Sequence, residues 1–220
     1  MRSLPFPELY TKLRGRFGYL DWWPGETTDE IIIGAILTQQ ASWRNVEKAI
    51  SNLKEADCLD LKKIGRMRTS SLEMRIRPSG FYRQKAAKLK AFARYVSSNY
   101  SSLDEMLSKG AGELREELLS MRGIGRETAD SIILYAAGKC MFVVDAYTKR
   151  ITSRIYGSDP NIEYDELRFD ISASIPDDLE LYKDFHAQFV ELGKKYCKTK
   201  PLCNDCPVKS YCQYCGSAAR

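Results

Sequence analysis

The sequence predicts an all-α protein, and three observations support this prediction. Apolar residues recur at helical spacing through almost every segment of the 220-residue chain. A capping box, Thr27 followed three residues later by Glu30, opens the apolar segment DEIIIGAILTQQ. The one strand-like run, MFVVD at 141–145, is too short to build a sheet. We therefore expect roughly ten helices of ordinary length.

Further helices are predicted in order along the chain. Their segments are 42–56, 81–100, 112–121, 126–139, 146–157 and 178–196. The segment 81–100 is long, amphipathic and basic, whereas 112–121 and 126–139 flank a Gly-Ile-Gly turn. The chain contains no internal repeat and no low-complexity linker, so the sequence pattern alone does not mark a domain boundary.

The composition limits both the location and the chemistry of the protein. No apolar run approaches the ~20 residues of a membrane span and no signal peptide begins the chain, so we expect a cytoplasmic protein without a membrane partner. The net charge of +5 is compatible with a polyanionic partner. His186 is the one histidine and is expected to be structural. Acid–base chemistry then falls to Asp, Glu, Lys, Tyr or Cys.

Five of the seven cysteines lie between positions 197 and 215. The first four of them are spaced C-x5-C-x2-C-x5-C: Cys197, Cys203, Cys206 and Cys212. In a cytoplasmic protein this density favours a metal site over disulfides. The last interval is too short for the two knuckles of a zinc ribbon, so the spacing favours a [4Fe–4S] cluster over zinc. Cys215 is an alternative ligand to Cys212, and Cys58 and Cys140 are expected in the core.

A glycine turn and a single carboxylate give a second signal. Gly123 and Gly125 lie between two helical segments, where glycine permits a left-handed backbone and lets N–H groups approach a ligand. At a helix start such N–H groups bind phosphate, although an ordinary helix–helix turn also uses glycine. Asp145 ends a hydrophobic run, where a buried carboxylate is costly unless it has a function. The same residue can cap the helix that begins at Ala146.

The segment MRGIGRETADSIILYAAGK…VVDAY resembles the helix–hairpin–helix and Gly/Pro/Val…Asp signature of the endonuclease III superfamily of DNA glycosylases. The C-terminal cysteines resemble the iron–sulfur loop of that family, and LTQQAS and SGFYRQKAAKL resemble two more of its segments. The resemblance covers most of residues 15–215. This chain has one residue fewer between its first two loop cysteines than the family loop usually has.

The resemblance implies an all-α fold of two helical lobes with a helix–hairpin–helix and a C-terminal iron–sulfur cluster loop. The central lobe would span 20–140 and contain the hairpin at about 117–138. The second lobe would comprise 1–19 and 141–220, with the cluster loop at 197–215. The implied partner is double-stranded DNA with a damaged base, bound by a monomer that flips the damaged nucleotide into the cleft between the lobes.

The resemblance also implies a mechanism. Asp145 matches the family's aspartate, which stabilises an oxocarbenium-like sugar or activates water. Bifunctional members carry a nucleophilic lysine just after Gly-x-Gly-Arg, where this chain has Glu127, and a carboxylate cannot form an imine. The chain therefore resembles a monofunctional enzyme, and its nearest resemblance is to the type III 3-methyladenine DNA glycosylases. That branch has a pocket lysine in the late helix where this chain has Gln188.

An aromatic group is expected to bind the base. A flipped, positively charged alkylpurine would stack in a slot lined by Trp22, Trp23, Pro24 and Trp43, although large aromatics are usually core. The expected DNA contacts enter the duplex at the lesion or grip its backbone: Gln40, Phe81, Tyr82, Arg122, Gly123, Ile124, Gly125 and Arg126. The basic helix forms either phosphate contacts or a solvated face through Arg83, Lys85, Lys88, Lys90 and Arg94.

Other functions on the same fold stay open at this point. One is a glycosylase for uracil or thymine in mismatches, or for an oxidised base with abasic-site lyase activity. A lyase would need another lysine, of which Lys149 is the first candidate. Another alternative is a damage-binding protein without catalysis, and the presence of Asp145 argues against it.

Overall fold

The computed structural model describes residues 4–23 and 25–217, with side chains up to Cys215. Within these residues every regular element is helical, which confirms the all-α prediction. The strand-like run at 141–145 is extended chain that joins two helices and pairs with no strand in the described structure. No described helix is both long enough and apolar enough to cross a membrane.

The chain forms two compact units. The central unit is Trp23–Lys139, and the terminal unit combines the described parts of Met1–Trp22 and Cys140–Arg220. The described helices of the central unit are α2 (Thr28–Leu37), α3 (Trp43–Glu55), α4 (Leu61–Arg66), α5 (Thr69–Ile76), α6 (Tyr82–Asn99), α7 (Leu103–Leu107), α8 (Ala111–Ser120) and α9 (Arg126–Ser131). A 3-10 turn at Arg77–Ser79 precedes α6, and a π-helical turn at Ile132–Ala136 continues α9.

The described helices of the terminal unit are α1 (Phe6–Phe17), α10 (Ala146–Tyr156), α11 (Tyr164–Ser174), α12 (Leu179–Lys195) and α13 (Gln213–Ser217). Its core is aromatic, because Phe185 stacks on Phe189 in α12 and Phe142 packs edge-on against both rings. Helix α12 also packs against α1 and α10. The rigid core therefore holds α10, which begins directly after Asp145.

The predicted start of α2 is present in part. The Thr27 hydroxyl accepts a hydrogen bond from the Glu30 N–H at 3.2 Å, as a capping box requires. The Glu30 carboxylate accepts from the N–H of Glu26 at 3.2 Å and pairs with Lys54 at 2.9 Å. Helix α2 is buried along most of its length, so its C-terminal end places the segment 38–41 at a fixed point of the central unit.

Candidate functional site

Asp145 lies in the terminal unit at the N-cap of α10. Its Oδ1 atom accepts hydrogen bonds from the backbone N–H of Thr148 at 2.7 Å and from the Thr148 hydroxyl at 2.9 Å. Its side chain is 13% exposed, so one carboxylate oxygen is committed to the cap while the group keeps some access to solvent. The local sequence explains this geometry, because aspartate is a preferred N-cap residue whose carboxylate accepts the backbone N–H three residues later.

His186 of α12 faces the second oxygen of Asp145. Its Nε2 atom lies 3.7 Å from Asp145 Oδ2, which is an ion-pair distance and too long for a good hydrogen bond. The imidazole is buried, and the Trp22 ring packs edge-on against it with centroids 5.2 Å apart. The ammonium of Lys194 lies 5.9 Å from the centroid of the Trp22 ring. The sequence predicts a structural role for His186 and does not indicate its contact with Asp145.

The surroundings of Asp145 keep its carboxyl group ionised. Burial acts to raise the pKa of Asp145, but the contacts with His186 and Thr148 more than offset burial, and the pKa is lowered from its ordinary value. The start of α10 adds a favourable dipole at the same place. A fixed anion at this position can stabilise positive charge that develops on a bound group.

Gln188 lies one helical turn after Asp184 on the same face of α12, and it is buried. Its Nε2 atom donates to the carbonyl of Gly18 at 2.7 Å and to Asp184 Oδ1 at 3.1 Å. Asp184 also accepts from the N–H of Leu20 at 2.8 Å. These bonds fix the segment 18–20 against α12, and Trp22 follows two residues later. The sequence did not indicate this buried Asp184–Gln188 pair.

The glycine turn at 121–125 joins α8 to α9 in the central unit. Gly123 has φ +93°, and a Cβ atom there would lie 2.7 Å from the side chain of Lys88, so glycine is required on both grounds. The side chain of Ile124 is buried, which leaves only its backbone to face a ligand. Arg122 and Arg126 are exposed on either side of the turn. The predicted helix–hairpin–helix is thus present with its basic residues outward.

Gln39 braces this turn, and the sequence did not predict that role. Its Nε2 atom donates to the carbonyl of Gly123 at 3.1 Å and to the Thr128 hydroxyl at 2.9 Å. Its Oε1 atom accepts a hydrogen bond from the ammonium of Lys88. Glu127, which the family resemblance matches to the lyase lysine, is exposed in the first turn of α9.

Gln40 and Phe81 share two properties. Both are exposed, Phe81 to 58%, and both adopt a left-handed backbone, with φ values of +52° and +45° respectively. Side chains other than glycine seldom take this conformation, and it concentrates at functional turns. Tyr82, the first residue of α6, is half-buried.

The tryptophans divide between the units. In the central unit Trp23 packs edge-on against Trp43 with ring centroids 5.9 Å apart and stacks on Tyr135 at 4.7 Å. A Cβ atom at Gly34 would lie 3.9 Å from both tryptophan rings, which is ordinary van der Waals contact, so the two rings pack directly over this glycine. Trp22 belongs to the terminal unit, beside His186. Pro24 lies outside the described residues. The aromatic Tyr135 was missed because its segment reads as ordinary helix core.

The basic helix α6 does not present all its cations to solvent. Lys85 is only 2% exposed, and burial, with a smaller effect from Lys88, lowers its pKa to about 8. The Lys90 ammonium donates to the carbonyls of Gly65 at 3.1 Å and Ile64 at 3.3 Å. Reading Lys85 and Lys90 as phosphate contacts or as a solvated face was therefore wrong. Arg83 and Arg94 are exposed as expected.

The C-terminal loop gathers five thiols around one small pocket in the terminal unit. The cysteines that line it are Cys197, Cys203, Cys206, Cys212 and Cys215. Burial and the neighbouring thiols raise the pKa of Cys206, and burial with bonds to Cys203 and Cys212 raises that of Cys215 to about 12. In the described residues no three His, Cys, Asp or Glu side chains are arranged to hold a single metal ion. Cys58 is buried, as expected, and Cys140 is half-buried.

The all-α fold, the glycine hairpin and the helix-capping aspartate together define a helix–hairpin–helix repair protein. The chain belongs to the HhH-GPD superfamily of base excision DNA repair proteins, which it matches over residues 33–177. This confirms the family and identifies the protein as a DNA glycosylase of base excision repair.

Named relatives agree with this assignment. The chain is 46% identical over 207 residues to the "Putative DNA repair glycosylase MJ1434" of Methanocaldococcus jannaschii, covering 93% of this chain and 94% of that one. It is 28% identical over 185 residues to the endonuclease III of Thermotoga maritima, covering 84% and 82% of the two chains.

Solved structures show the same fold. The 3-methyladenine DNA glycosylase of H. pylori bound to 1,N6-ethenoadenine superposes with a TM-score of 0.78 at 30% identity, covering 87% of this chain and 98% of that one. An endonuclease III–DNA complex superposes with a TM-score of 0.83 at 22% identity, covering 97% and 96%, which is a likeness of fold alone.

Proposed function

We propose that this protein is a monofunctional glycosylase that hydrolyses the N-glycosidic bond of alkylated purines in double-stranded DNA. The observation that carries the proposal is the fixed anion of Asp145, held by Thr148 and faced by His186. As the base leaves, the sugar gains positive charge, and a preorganised carboxylate stabilises that charge or activates the attacking water. The 30% identity to a 3-methyladenine glycosylase supports an alkylated purine as substrate.

Two residues support the absence of lyase chemistry. The family resemblance matches Glu127 to the lyase lysine, and a carboxylate offers no amine. Lys149 lies close to Asp145 in sequence, but its ammonium donates to the carbonyl of Ile162 at 2.9 Å. An amine engaged with a backbone carbonyl must leave that partner before it can attack a sugar. The wild type would therefore leave intact abasic sites.

The remaining site residues divide into three roles. The hairpin from Arg122 to Arg126 would hold the DNA backbone through N–H groups and charge, which gives affinity without reading sequence. Gln40 and Phe81 would enter the duplex, since both are exposed on strained turns. Trp23 and Trp43 of the central unit would stack on the extruded cationic base, because aromatic faces attract cations.

The thiol-lined cavity fits a [4Fe–4S] cluster better than zinc. A cluster takes four cysteine thiolates, and five cysteines line this one pocket. The interval between Cys206 and Cys212 is too short for the two separate knuckles of a zinc ribbon. The residues that would hold the cluster are Cys197, Cys203, Cys206 and Cys212, with Cys215 as the alternative to the last. Once bound, a cluster would cross-link the loop through its iron–thiolate bonds.

Base release from a panel of damaged duplexes tests the proposal. The panel contains 3-methyladenine, 1,N6-ethenoadenine, uracil, a thymine mismatch and 8-oxoguanine, and each product is analysed with and without alkali. We expect release of the alkylated purines, strand breaks only after alkali, and no adduct with borohydride. Release of uracil or thymine alone would refute alkylated purines as the substrate class and assign pyrimidines instead. A trapped adduct would refute the monofunctional mechanism.

A further inference from the structure

Lys85 makes two contacts that join separate parts of the central unit. It lies in the first turn of α6, and its ammonium donates to the carbonyl of Leu37 at 2.8 Å and to that of Ser79 at 2.7 Å. Leu37 is the last residue of α2, where carbonyls lack helical partners. Ser79 ends the 3-10 turn that precedes α6. One buried cation therefore bridges the ends of two elements.

Each bridged carbonyl lies just before an exposed left-handed residue. Gln40 follows Leu37 by three residues, and Phe81 follows Ser79 by two. A left-handed backbone in residues other than glycine persists only where the surrounding structure determines it. Lys85 holds the chain immediately upstream of both turns, so it limits how far the turns can relax or separate.

The next turn of α6 extends this arrangement to the hairpin. Lys88 donates to Gln39, the neighbour of Gln40, and Gln39 in turn donates to the Gly123 carbonyl at 3.1 Å. The two lysines of α6 thus fix the segment 37–40 against both the turn that carries Phe81 and the glycine turn.

We propose that Lys85 is a positioning residue that sets the separation of Gln40 and Phe81, so that both side chains enter the duplex together. The inference rests on the proposed entry of these two side chains into DNA. A lysine suits the task because its long arm reaches two convergent carbonyls with a single donor group, which no apolar residue of similar length can do.

Lys85→Met removes the donor and keeps a side chain of similar length. Lys90→Met is the matched control, because Lys90 lies on the same helix and also binds carbonyls, but at the end of α4 and away from both left-handed turns. The probe is a duplex with an abasic-site analogue beside 2-aminopurine, whose fluorescence rises when a protein unstacks it. Affinity for the same duplex is measured in parallel.

The wild type and Lys90→Met should raise the fluorescence, and Lys85→Met should lose most of that rise. Its Kd should stay within about three-fold, because phosphate contacts supply most of the affinity. In a Phe81→Ala background, Lys85→Met should have little further effect, since the two changes act on the same step. If Lys85→Met does not fold, Lys85→Gln, which keeps one donor, replaces it.

Three results would overturn the inference. No fluorescence rise with the wild type would refute the entry of Gln40 and Phe81, and the inference with it. A normal rise with Lys85→Met would refute the role of Lys85 while leaving the entry of the two side chains intact. Equal losses with Lys85→Met and Lys90→Met would show that general destabilisation, and not positioning, is responsible.

Discussion

At the residue scale, Asp145 combines a helix-capping contact with the proposed chemical role, and the sequence allows both roles at once. One oxygen caps α10 through Thr148, while the other faces His186 at 3.7 Å. The cap fixes the orientation of the carboxylate, and the histidine helps to lower its pKa against the effect of burial. The capping contact therefore suits the anion to its proposed chemical role, because a preorganised charge needs no reorganisation when the base departs.

Asp145→Asn should slow base release by at least about 10²-fold, as expected for the loss of one preorganised electrostatic group. Single-turnover release from an alkylated duplex measures this effect. Affinity for DNA should be nearly unchanged, because the proposed phosphate contacts lie in the glycine turn. Asp178→Asn is the matched control, since Asp178 caps α12 by accepting from the N–H of Leu181 at 2.9 Å but belongs to no proposed site. Equal losses in the two variants would assign Asp145 a capping role only.

His186→Leu should move the acidic limb of the pH profile of base release to higher pH. Burial raises the pKa of Asp145 and His186 opposes that effect, so removing the imidazole leaves burial less opposed and the carboxylate protonates at a higher pH. His186→Gln keeps a donor near Oδ2 and should shift the limb less. An unchanged limb in His186→Leu would show that His186 does not tune Asp145.

At the scale of elements, helix α6 buries part of its basic face against neighbouring segments. Its amphipathic pattern predicts the helix correctly, but the turn at 77–79 and the end of α2 cover one edge of it. Helical spacing identifies which residues share a face, and it cannot show which loop folds over that face. For the same reason the pattern missed the contact of Gln39 with the hairpin, which joins residues far apart in sequence.

Short helices were also beyond the sequence patterns. Helices α4 and α7 have 6 and 5 residues, too few for a periodic pattern to show, and they depend on tertiary packing for stability. By contrast, the signal for α9 and α10 was strong, because the glycine turn and the aspartate cap are local features. The sequence thus predicted the helix cap at Asp145 and the glycine hairpin. The contacts of His186 with Asp145 and of Tyr135 with Trp23 depend on tertiary packing, which sequence patterns do not show.

The buried Lys85 should give a measurable pH dependence of stability. Its pKa is lowered from 10.5 to about 8, so between these values the unfolded chain binds a proton that the folded chain does not. The free energy of unfolding of the wild type, relative to Lys85→Met, should therefore rise as the pH increases from about 8 to 10.5, by at most about 1.4 kcal/mol per pH unit. Urea unfolding at several pH values measures the difference. A flat difference would show that Lys85 keeps its ordinary pKa in the fold.

At the scale of the whole molecule, each of the two units carries its own set of proposed functional residues. The terminal unit carries Asp145, His186 and the cysteine loop, and the central unit carries the hairpin with Gln40 and Phe81. Within the terminal unit the loop is joined to α10, since Arg154 donates to the carbonyls of Lys198 at 2.6 Å and Thr199 at 3.0 Å. The helix capped by Asp145 at one end thus holds the cysteine loop at the other.

This connection predicts that losing a cluster ligand harms more than the loop. Cys203→Ala should lower bound iron and sulfide, soluble yield and thermal stability together, because metal binding and folding are linked. Cys140→Ala is the matched control, since Cys140 is half-buried outside the loop.

Comparing Cys212→Ala with Cys215→Ala identifies the fourth ligand, which is the cysteine whose loss removes iron. Stoichiometric zinc without iron in the wild type would refute the cluster. Full iron in Cys203→Ala would instead exclude Cys203 as a ligand, and normal stability of an iron-depleted variant would show that α10 does not depend on the loop.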